Sequence, residues 1–400
     1  MVVVGISLAY LLGYGAAAYI APTPPASAFP GAPFEVFWEA WEVVQEKYYD
    51  RSALNPQALT YGALQGALES LGDPNTGFVT PQYRAILDED LEGVFEGIGA
   101  VVDLNQDGYL LIIEPLAGRP ADRAGLRRGD VVLRVDGRDT RGLSLLEMIG
   151  LVRGPEGTTV TLSVQREGRA QPFDLTIVRG RIQIRTVETA MLAEGIAYLK
   201  LNEFNAHSAR DLRDALEDLL AAAPVGLILD LRDNPGGLLD QAVVVGSQFL
   251  AQGPLLYERS AHREEKVHEA TGGGAALEIP LVVLVNAGTA SAAEIVAGAI
   301  QDYGRGVLIG ERTFGKGSVQ AQYDLSDGAG LRLTVARWYT PRGRLIEDRG
   351  LTPDIEVPVS NHPPQADDPQ LDRAIQVLLE QVGAREALII LSRASLAGHL

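Results

Sequence analysis

The chain has 400 residues, of which 46% are hydrophobic and 22% charged, as expected for a globular protein of two or three domains. Its net charge of −18 makes nucleic acid and anionic membrane surfaces poor partners. It has no cysteine, which excludes disulfides and thiolate chemistry, and its five scattered histidines lead us to expect no metal site and no cofactor.

The N-terminal segment is apolar and uncharged. No charged side chain occurs in the first 34 residues, and residues 2–20 are mostly apolar before a proline-rich stretch. This run of about 19 residues can cross a bilayer and is long for the core of a signal peptide. Ala26-Ser27-Ala28 resembles a cleavage site, so a cleaved leader remains an alternative. We expect residues 1–28 to be a signal or membrane-anchor segment, and we favour a retained anchor, which would make the membrane a partner. The protein would then be extracytoplasmic, in a bacterial periplasm or cell envelope, anchored or secreted.

Residues 29–90 are expected to form short helices. An apolar stripe recurs there at helical spacing and gives one helix a wide apolar face. Such a face usually packs within its own chain, but its position outside the main domains leaves a homodimer contact open. A turn rich in glycine, proline and asparagine follows at residues 72–77. The stripe consists of Phe34, Phe37, Trp38, Trp41, Val44 and Tyr48.

The next unit, residues 91–180, is predicted to be rich in β-strands. Strands are expected at Ala100–Leu104 and at 109–113, and a helical turn then leads into another strand and a tight turn. The stretch from Ala124 to Gly137 in particular resembles a PDZ domain. That resemblance implies a domain that adds a peptide as an extra strand and captures its terminal carboxylate on backbone amides.

Three residues, Gly97, Ile98 and Gly99, match the carboxylate-binding loop of such a domain. They match by position, and glycine allows successive N–H groups to turn inward. A helix at Leu145–Val152 should line the groove. The alternative is a glycine turn in a β-rich domain that serves only packing.

Residues 181–360 alternate strands with helices, which predicts a layered α/β core. A strand at Ile196–Leu201 and a helix at Ser208–Ala221 come first, followed by another buried strand. Gly236 and Gly237 then end an Asn-Pro-Gly-Gly segment. Two adjacent glycines after a buried strand permit close backbone approach, which suits an oxyanion donor. A glycine turn without function is the alternative.

A strand, turn and helix place Ser291 at a helix N-terminus. The apolar run Leu281–Val285 ends in a glycine-containing turn, and small residues with helical spacing follow Ser291. Unpaired N–H groups and the helix dipole can stabilise negative charge there. Ser291 and Glu294 also fit a capping box, so the alternative is that Ser291 only caps the helix.

Lys316 follows in a second glycine-rich turn. Residues 310–316 match the first part of a phosphate loop, but Gly317 stands where serine or threonine should follow, and the next residues alternate like a strand. A phosphate loop is therefore excluded. A serine nucleophile needs a base, and no histidine has a motif around it. A lysine with a lowered pKa can serve, so we expect Ser291 and Lys316 to meet as nucleophile and base.

Three segments together resemble the carboxyl-terminal processing peptidases, also called tail-specific proteases. They are residues 286–294 (NAGTASAAE), 312–320 (RTFGKGSVQ) and 230–237 (DLRDNPGG), within a resemblance that covers residues 35–380. The resemblance implies a multidomain α/β protein with a crotonase-like peptidase core, an inserted PDZ domain and N-terminal helices.

The same resemblance implies the roles of individual residues. Serine is the nucleophile, the lysine is the general base, and a glutamine orients the lysine. One oxyanion amide comes from the Asn-Pro-Gly-Gly loop and the other from the residue after the serine. In this chain the corresponding residues are Ser291, Lys316 and Gln320, then Gly236 or Gly237, and Ala292.

Two further segments lie outside these motifs. Residues 71–78 also resemble a family segment, with Asn75 where the family commonly has histidine. Residues 361–400 are expected to form a linker and two helices, at 371–382 and 386–396.

The sequence therefore predicts an exported Ser–Lys serine endopeptidase that acts on protein or peptide substrates selected by their free C-termini. One alternative is a catalytically silent PDZ adaptor that only binds C-termini. Another is an acyl-transfer enzyme for small esters, which the peptide-binding unit disfavours.

Overall fold

The computed structural model describes residues 32–261, 264–358 and 368–397. The expected signal or anchor segment, residues 1–28, lies outside the described residues, as do residues 361–367 of the linker predicted at 361–369. Among the helices of the described chain, none combines the length and the apolar character needed to cross a bilayer.

The described part of the N-terminal region contains three α-helices, a short 3-10 helix at Arg51–Ala53 and one short strand. Asn55 caps the second α-helix by accepting a hydrogen bond from the N–H of Ala58 at 3.1 Å, and Pro56 occupies the first helical position. The strand pairs antiparallel with residues 330–332 of the core. The elements are α1 (Ala32–Lys47), α2 (Pro56–Glu69), β1 (Gly77–Val79) and α3 (Pro81–Glu92).

The apolar stripe of α1 is not buried within the chain, contrary to the expectation that such a face packs internally. Phe34 is 65% exposed and Trp38 is 58% exposed, while Trp41 is only partly covered. The described part of the chain therefore leaves a wide aromatic surface open to solvent.

A β-rich unit follows. Its main sheet has the order β3-β4-β5-β7-β8, with β6 pairing β5, while β2 and β9 form a separate two-stranded ribbon. Along β7, Val160, Leu162 and Val164 alternate inward and pack with Met148 and Val152 of the helix α5. The elements are β2 (Val94–Gly97), β3 (Ala100–Leu104), β4 (Leu110–Pro115), α4 (Pro120–Arg123), β5 (Val131–Val135), β6 (Arg138–Asp139), α5 (Leu145–Val152), β7 (Thr159–Gln165), β8 (Phe173–Val178) and β9 (Gly180–Gln183).

The core contains a six-stranded sheet with helices on both faces. Its order is β10-β11-β12-β15-β16-β19, parallel throughout except for β10. Both faces are covered, which agrees with the continuous apolar run of β15 and with a β12 that is apolar up to its last residue, Asp230. The elements are β10 (Val187–Met191), β11 (Ile196–Leu201), α6 (Ser208–Ala221), β12 (Gly226–Asp230), α7 (Leu239–Gly246), β13 (Pro254–Arg259), β14 (Lys266–Glu269), β15 (Leu281–Val285), α8 (Ala292–Asp302), β16 (Val307–Gly310), β17 (Ser318–Asp324), β18 (Gly330–Tyr339) and β19 (Ile355–Glu356).

A second, antiparallel sheet completes the layers. It has the order β1-β18-β13-β14, with β17 also paired to β18. Ile295 and Ala299 of α8 pack against Val319 and Trp338 of this sheet, while Val296 and Ile300 pack against the parallel sheet. The small, apolar helix α8 is thus buried between two sheets. The expected layered α/β architecture with an inserted β-rich unit is confirmed.

At the C-terminus a single helix, α9 (Pro369–Ala397), replaces the two helices expected from the sequence. Gly383, which separated the two predicted segments, lies inside it. A glycine costs roughly 1 kcal/mol relative to alanine in a helix, too little to end one that is held by packing. Ala374 and Leu378 supply that packing, since both are buried against β12 and β15.

Candidate active site

Ser291 lies at the start of α8, as the sequence predicts. It is the N-cap residue and is 4% exposed. Its φ of 53° and ψ of −117° are rare for a residue with a side chain. Such strain persists only where the surroundings enforce it, and it is typical of functional sites.

One buried carboxylate connects the serine segment to the lysine segment. Oε2 of Glu294 accepts hydrogen bonds from the backbone N–H of Ser291 at 2.9 Å and of Lys316 at 2.8 Å. Oε1 accepts the Thr313 hydroxyl at 2.5 Å and the N–H of Gly315 at 2.8 Å. Burial raises the pKa of Glu294 to about 7, and these hydrogen bonds oppose the rise because they favour the ionised form. The structure thus brings the two predicted catalytic segments together.

The turn that carries Lys316 is held from its other side by Glu347. Oε2 of Glu347 accepts the N–H of Gly317 at 2.7 Å. A Cβ on Gly317 would lie 2.2 Å from the backbone nitrogen of Glu347, and Gly315 has a φ of 92°. Both glycines are therefore required for the turn to adopt this path.

The side chain of Lys316 is 4% exposed. Burial, and after it the positive charge of Arg332, lowers the pKa of Lys316 to about 8, while Glu347 and Glu294 act in the opposite direction. At that pKa a large share of the amine is neutral near pH 8. The lysine can therefore accept a proton, which a solvated lysine would not do at this pH.

Gln320 lies on β17, four residues after Lys316, and is 2% exposed. Its Nε2 donates to the hydroxyl of Thr334 at 3.4 Å. Its Oε1 is buried and has no hydrogen-bond partner among the described residues. The register of pairing between β17 and β18 shifts between Val319 and Gln320, which marks a β-bulge. A bulge changes the direction in which a side chain points, and bulges are common beside active sites.

The first glycine of the predicted pair lies against Ser291. A Cβ on Gly236 would lie 2.7 Å from the Cβ of Ser291 and 2.9 Å from the amide nitrogen of Ala292, so only glycine permits this approach. The N–H of Gly236 itself donates to Oδ1 of Asn234 at 2.9 Å. Within the described part of the chain, the amides of Gly237 and Ala292 donate to no protein acceptor. These two N–H groups remain available to an oxyanion.

Asn234 is a structural residue that the sequence reasoning did not single out. Its Nδ2 donates to the carbonyl of Leu201 at 2.8 Å, and its own carbonyl accepts the N–H of Ala290 at 2.9 Å. It therefore fastens the glycine loop both to β11 and to the residue before Ser291. The only sequence feature that pointed to Asn234 was its place in the Asn-Pro-Gly-Gly segment. No sequence motif pointed to Glu347.

The proposed carboxylate loop lies in the β-rich unit, between β2 and β3. Gly99 has a φ of 73°, and a Cβ there would lie 2.7 Å from the Cβ of Arg119. The carbonyls of Ile98 and Gly99 accept hydrogen bonds from Ala121 at 2.8 Å and Leu116 at 3.0 Å. β3 is an edge strand of its sheet, as strand addition by a peptide requires.

Family models, related protein sequences and a solved structure all match this chain to the same kind of protein. Residues 195–357 match peptidase family S41, and residues 112–166 match the PDZ domain. The chain is 35% identical to the carboxyl-terminal-processing protease of Synechocystis sp., over 88% of each chain. It is 36% identical to the carboxy-terminal processing protease CtpA of Bacillus subtilis, over 82% of this chain and 70% of that protein. A solved photosystem II D1 C-terminal processing protease is 31% identical and superposes with a TM-score of 0.60, over 86% of this chain and 96% of that one.

Proposed function

Because this chain belongs to peptidase family S41 and is a carboxyl-terminal processing serine peptidase, we propose that Ser291 and Lys316 are its catalytic pair. The observation that carries this assignment is the shared carboxylate of Glu294, which binds the backbone amides of both residues. The strained Ser291 and the buried Lys316 are thereby held in one cluster.

The proposed reaction begins with attack of the Ser291 hydroxyl oxygen on the scissile carbonyl carbon. The neutral Lys316 amine takes the hydroxyl proton, and the N–H groups of Gly237 and Ala292 stabilise the oxyanion. Collapse of the tetrahedral intermediate breaks the C–N bond, and the lysine ammonium gives its proton to the leaving amine. Water then attacks the acyl carbon with Lys316 again as base. The C–O bond to the Ser291 oxygen breaks, the lysine ammonium returns its proton to that oxygen, and the carboxylic acid product leaves.

Gly237 is the better candidate for the first oxyanion donor. The sequence left Gly236 and Gly237 as alternatives, and the N–H of Gly236 is already used by Asn234. Gly236 instead provides the close approach to the nucleophile that any side chain would block.

The PDZ domain supports protein or peptide substrates, and the silent-adaptor alternative is wrong because the relatives that match most of this chain are carboxyl-terminal processing proteases. We propose further that the domain selects substrates by a free C-terminus. In this scheme the peptide pairs with the free edge of β3 and its carboxylate binds the amides of Gly97, Ile98 and Gly99.

We also propose an extracytoplasmic location, with residues 1–28 as a membrane anchor. The support is the uncharged apolar run at residues 2–20. Carbonate extraction of membranes from the native cells tests this, since an anchored protein stays in the pellet and a secreted one does not.

A second copy of the chain is proposed to cover the aromatic face of α1. Aromatic side chains as exposed as Phe34 and Trp38 are typical of interfaces rather than of free surfaces. The acidic stripe Glu35, Glu39, Glu42 and Glu46 on the same helix disfavours an anionic lipid surface as the occupant.

The test of the catalytic proposal compares wild type with Ser291→Ala on a protein with an unstructured free C-terminus. Hydrolysis should be lost in the variant, whose circular dichroism should match wild type. Loss of the cap alone would cost only about 0.5–2 kcal/mol of stability. Near wild-type turnover in the variant would mean that Ser291 merely caps α8.

A further inference from the structure

Two segments of the core carry the proposed oxyanion donors, and both leave the parallel sheet at the same edge. β12 leads into the loop with Gly237, and β15 leads into the turn that precedes Ser291 and Ala292. The two strands are parallel neighbours, and Asp230 pairs with Leu284 near their carboxyl ends. The distance between the two oxyanion N–H groups therefore depends on how these strand ends are held relative to each other.

The hydrogen-bond ladder between β12 and β15 changes at this edge. The N–H of Leu231, just after β12, donates to the carbonyl of Leu284 at 2.9 Å. In a regular parallel ladder the next bond would run from the N–H of Asn286 to the carbonyl of Leu231. The N–H of Asn286 instead donates to the hydroxyl oxygen of Thr289 at 3.0 Å, and this hydroxyl donates to the carbonyl of Leu231 at 2.8 Å. A side-chain hydroxyl thus takes the place of one ladder bond.

The inserted hydroxyl belongs to a fully buried side chain, since Thr289 is 0% exposed. Its one hydrogen is used by the carbonyl of Leu231, because the other acceptor in reach, Oδ1 of Asn286, is 3.5 Å away. Two backbone groups that would bond each other directly in a continuous ladder are therefore separated by one oxygen atom. The hydroxyl acts as a spacer at the point where the two strands diverge into the glycine loop and the serine turn.

Thr289 is also attached to the lysine turn through its backbone. Its carbonyl accepts the N–H of Phe314, two residues before Lys316, at 3.0 Å. The next residue, Ala290, donates its N–H to the carbonyl of Asn234 in the glycine loop at 2.9 Å. Thr289 therefore lies where the glycine loop, the serine turn and the lysine turn meet.

A second side-chain contact between the two loops is open to solvent. The N–H of Asp233 donates to Oδ1 of Asn286 at 2.9 Å, and Nδ2 of Asn286 donates to Oδ1 of Asp233 at 2.8 Å. Asp233 is exposed, so water can replace these bonds when they break. A buried carbonyl and a buried N–H that lose the Thr289 hydroxyl have no such replacement. Losing that hydroxyl is therefore expected to disturb the two loops more.

We propose that Thr289 is a positioning residue for the oxyanion hole, and that its hydroxyl sets the separation of the strand ends that lead to Gly237 and Ala292. The inference rests on the proposed Ser291–Lys316 mechanism and adds to it a residue that acts without touching the substrate. An oxyanion exists only once the serine has attacked. A displaced N–H group therefore weakens binding of the transition state and leaves binding of the intact peptide unchanged.

Three variants of Thr289 and one control separate this role from general packing. Thr289→Val removes the hydroxyl at nearly constant volume, which leaves the Leu231 carbonyl and the Asn286 N–H either unpaired or drawn together. Thr289→Cys puts a larger and weaker hydrogen-bonding sulfur in the same place. Thr289→Ser keeps the hydroxyl and is the rescue variant. Thr140→Val is the matched control, because Thr140 is also 0% exposed and donates to a strand carbonyl, that of Val132, at 2.8 Å in the β-rich unit.

The experiment measures kcat and KM for a free-acid peptide and the inhibition constant of a peptide aldehyde of the same sequence. The Ser291 oxygen adds to the aldehyde carbon, the hydroxyl proton passes to Lys316, and the former carbonyl oxygen lies in the oxyanion hole. We expect Thr289→Val and Thr289→Cys to lose about tenfold to 100-fold in kcat, with a similar rise in the inhibition constant. KM should be unchanged. Thr289→Ser should behave as wild type, and Thr140→Val should lose stability but keep kcat and the inhibition constant.

Three results would overturn the role of Thr289: wild-type kcat in Thr289→Val, a loss of kcat with an unchanged inhibition constant, or an equal loss in Thr289→Ser. If Thr289→Val does not fold, Thr289→Cys decides by the same criteria. Failure of the catalytic proposal would appear elsewhere, as hydrolysis that survives in Ser291→Ala. The two failures are therefore distinguishable.

Discussion

The backbone amides of Ser291 and Lys316 donate to the same oxygen atom, Oε2 of Glu294, at 2.9 and 2.8 Å. The two segments are separated by the rest of α8, β16 and a turn, yet one carboxylate fixes both. Removing water from such a group is costly, and four hydrogen bonds compensate for it. Glu294 is therefore expected to matter for catalysis as well as for stability.

Glu294→Gln tests that expectation. All four groups that face the carboxylate are donors, and a glutamine can accept only through its single oxygen. Its NH₂ group would confront N–H or O–H donors, so we expect unfolding free energy to fall by about 2 kcal/mol or more. Peptide hydrolysis should fall as well. Urea unfolding and kcat on one preparation measure both effects.

The chain supplies a matched control in its second capping box. Glu147 accepts the N–H of Ser144 at 2.7 Å at the start of α5, but it is only partly buried and Ser144 is exposed. Glu147→Gln should cost at most about 1 kcal/mol, because water can replace the lost bond. Equal losses from the two substitutions would show that Glu294 is an ordinary helix cap.

Residue types and local spacing pointed to Ser291, Lys316 and the glycine loop as candidates, and the resemblance to the carboxyl-terminal processing peptidases supplied their proposed roles. Ser291, Lys316 and Gly236 each stand in a short motif whose local conformation the sequence predicts. The contacts among these motifs depend on residues without such signals. Glu347, which holds the lysine turn, lies in no recognisable motif, and Asn234 was visible only as part of its loop.

The wrong prediction of a break in α9 and the wrong expectation for the apolar face of α1 have a common physical origin. Gly383 suggested a break in α9 because glycine is a poor helix former, but packing of the N-terminal half on the sheet outweighs that preference. Periodicity correctly predicted the helix α1, yet it gave no information on what covers its apolar face. Local propensity describes an element, and tertiary contacts decide its ends and neighbours.

Capture of a free carboxylate by the PDZ domain predicts a difference between acid and amide peptides. Amidation removes the charge that the Gly97–Gly99 loop would bind, so KM should rise several-fold with a smaller effect on kcat. Acetylating the N-terminus of the same peptide removes a charge from the other end and serves as the control. Equal KM values for the acid and the amide would exclude this loop as a carboxylate site.

The aromatic face of α1 predicts self-association. In a chain that begins at residue 29, Trp38→Glu should shift the sedimentation profile from dimer to monomer, because it places a charge in an apolar interface. Met191→Glu, at an exposed site on the edge strand β10, controls for added charge. A wild-type protein that remains monomeric at high micromolar concentration would disprove the dimer.

The role of Lys316 as a base predicts a specific pH dependence. Burial lowers its pKa to about 8, and only the neutral amine can take the serine proton. Activity should therefore be low at pH 6, rise through pH 8 and level off above it, provided that the fold persists. Initial rates between pH 6 and pH 9.5 measure this rise in activity, and circular dichroism at each pH checks that the fold persists.

Lys316→Arg separates a base from a mere positive charge. Arginine stays protonated throughout this range, so the variant should be as inactive as Lys316→Ala, and neither should regain activity at high pH. If Lys316 acted only by its charge, arginine would preserve much of the rate, and activity would fall rather than rise as the lysine lost its proton. Both variants need circular dichroism that matches wild type, because Glu294 and Glu347 hold this turn tightly and a guanidinium is larger. Substantial hydrolysis by a folded Lys316→Arg protein would rule out the general-base assignment.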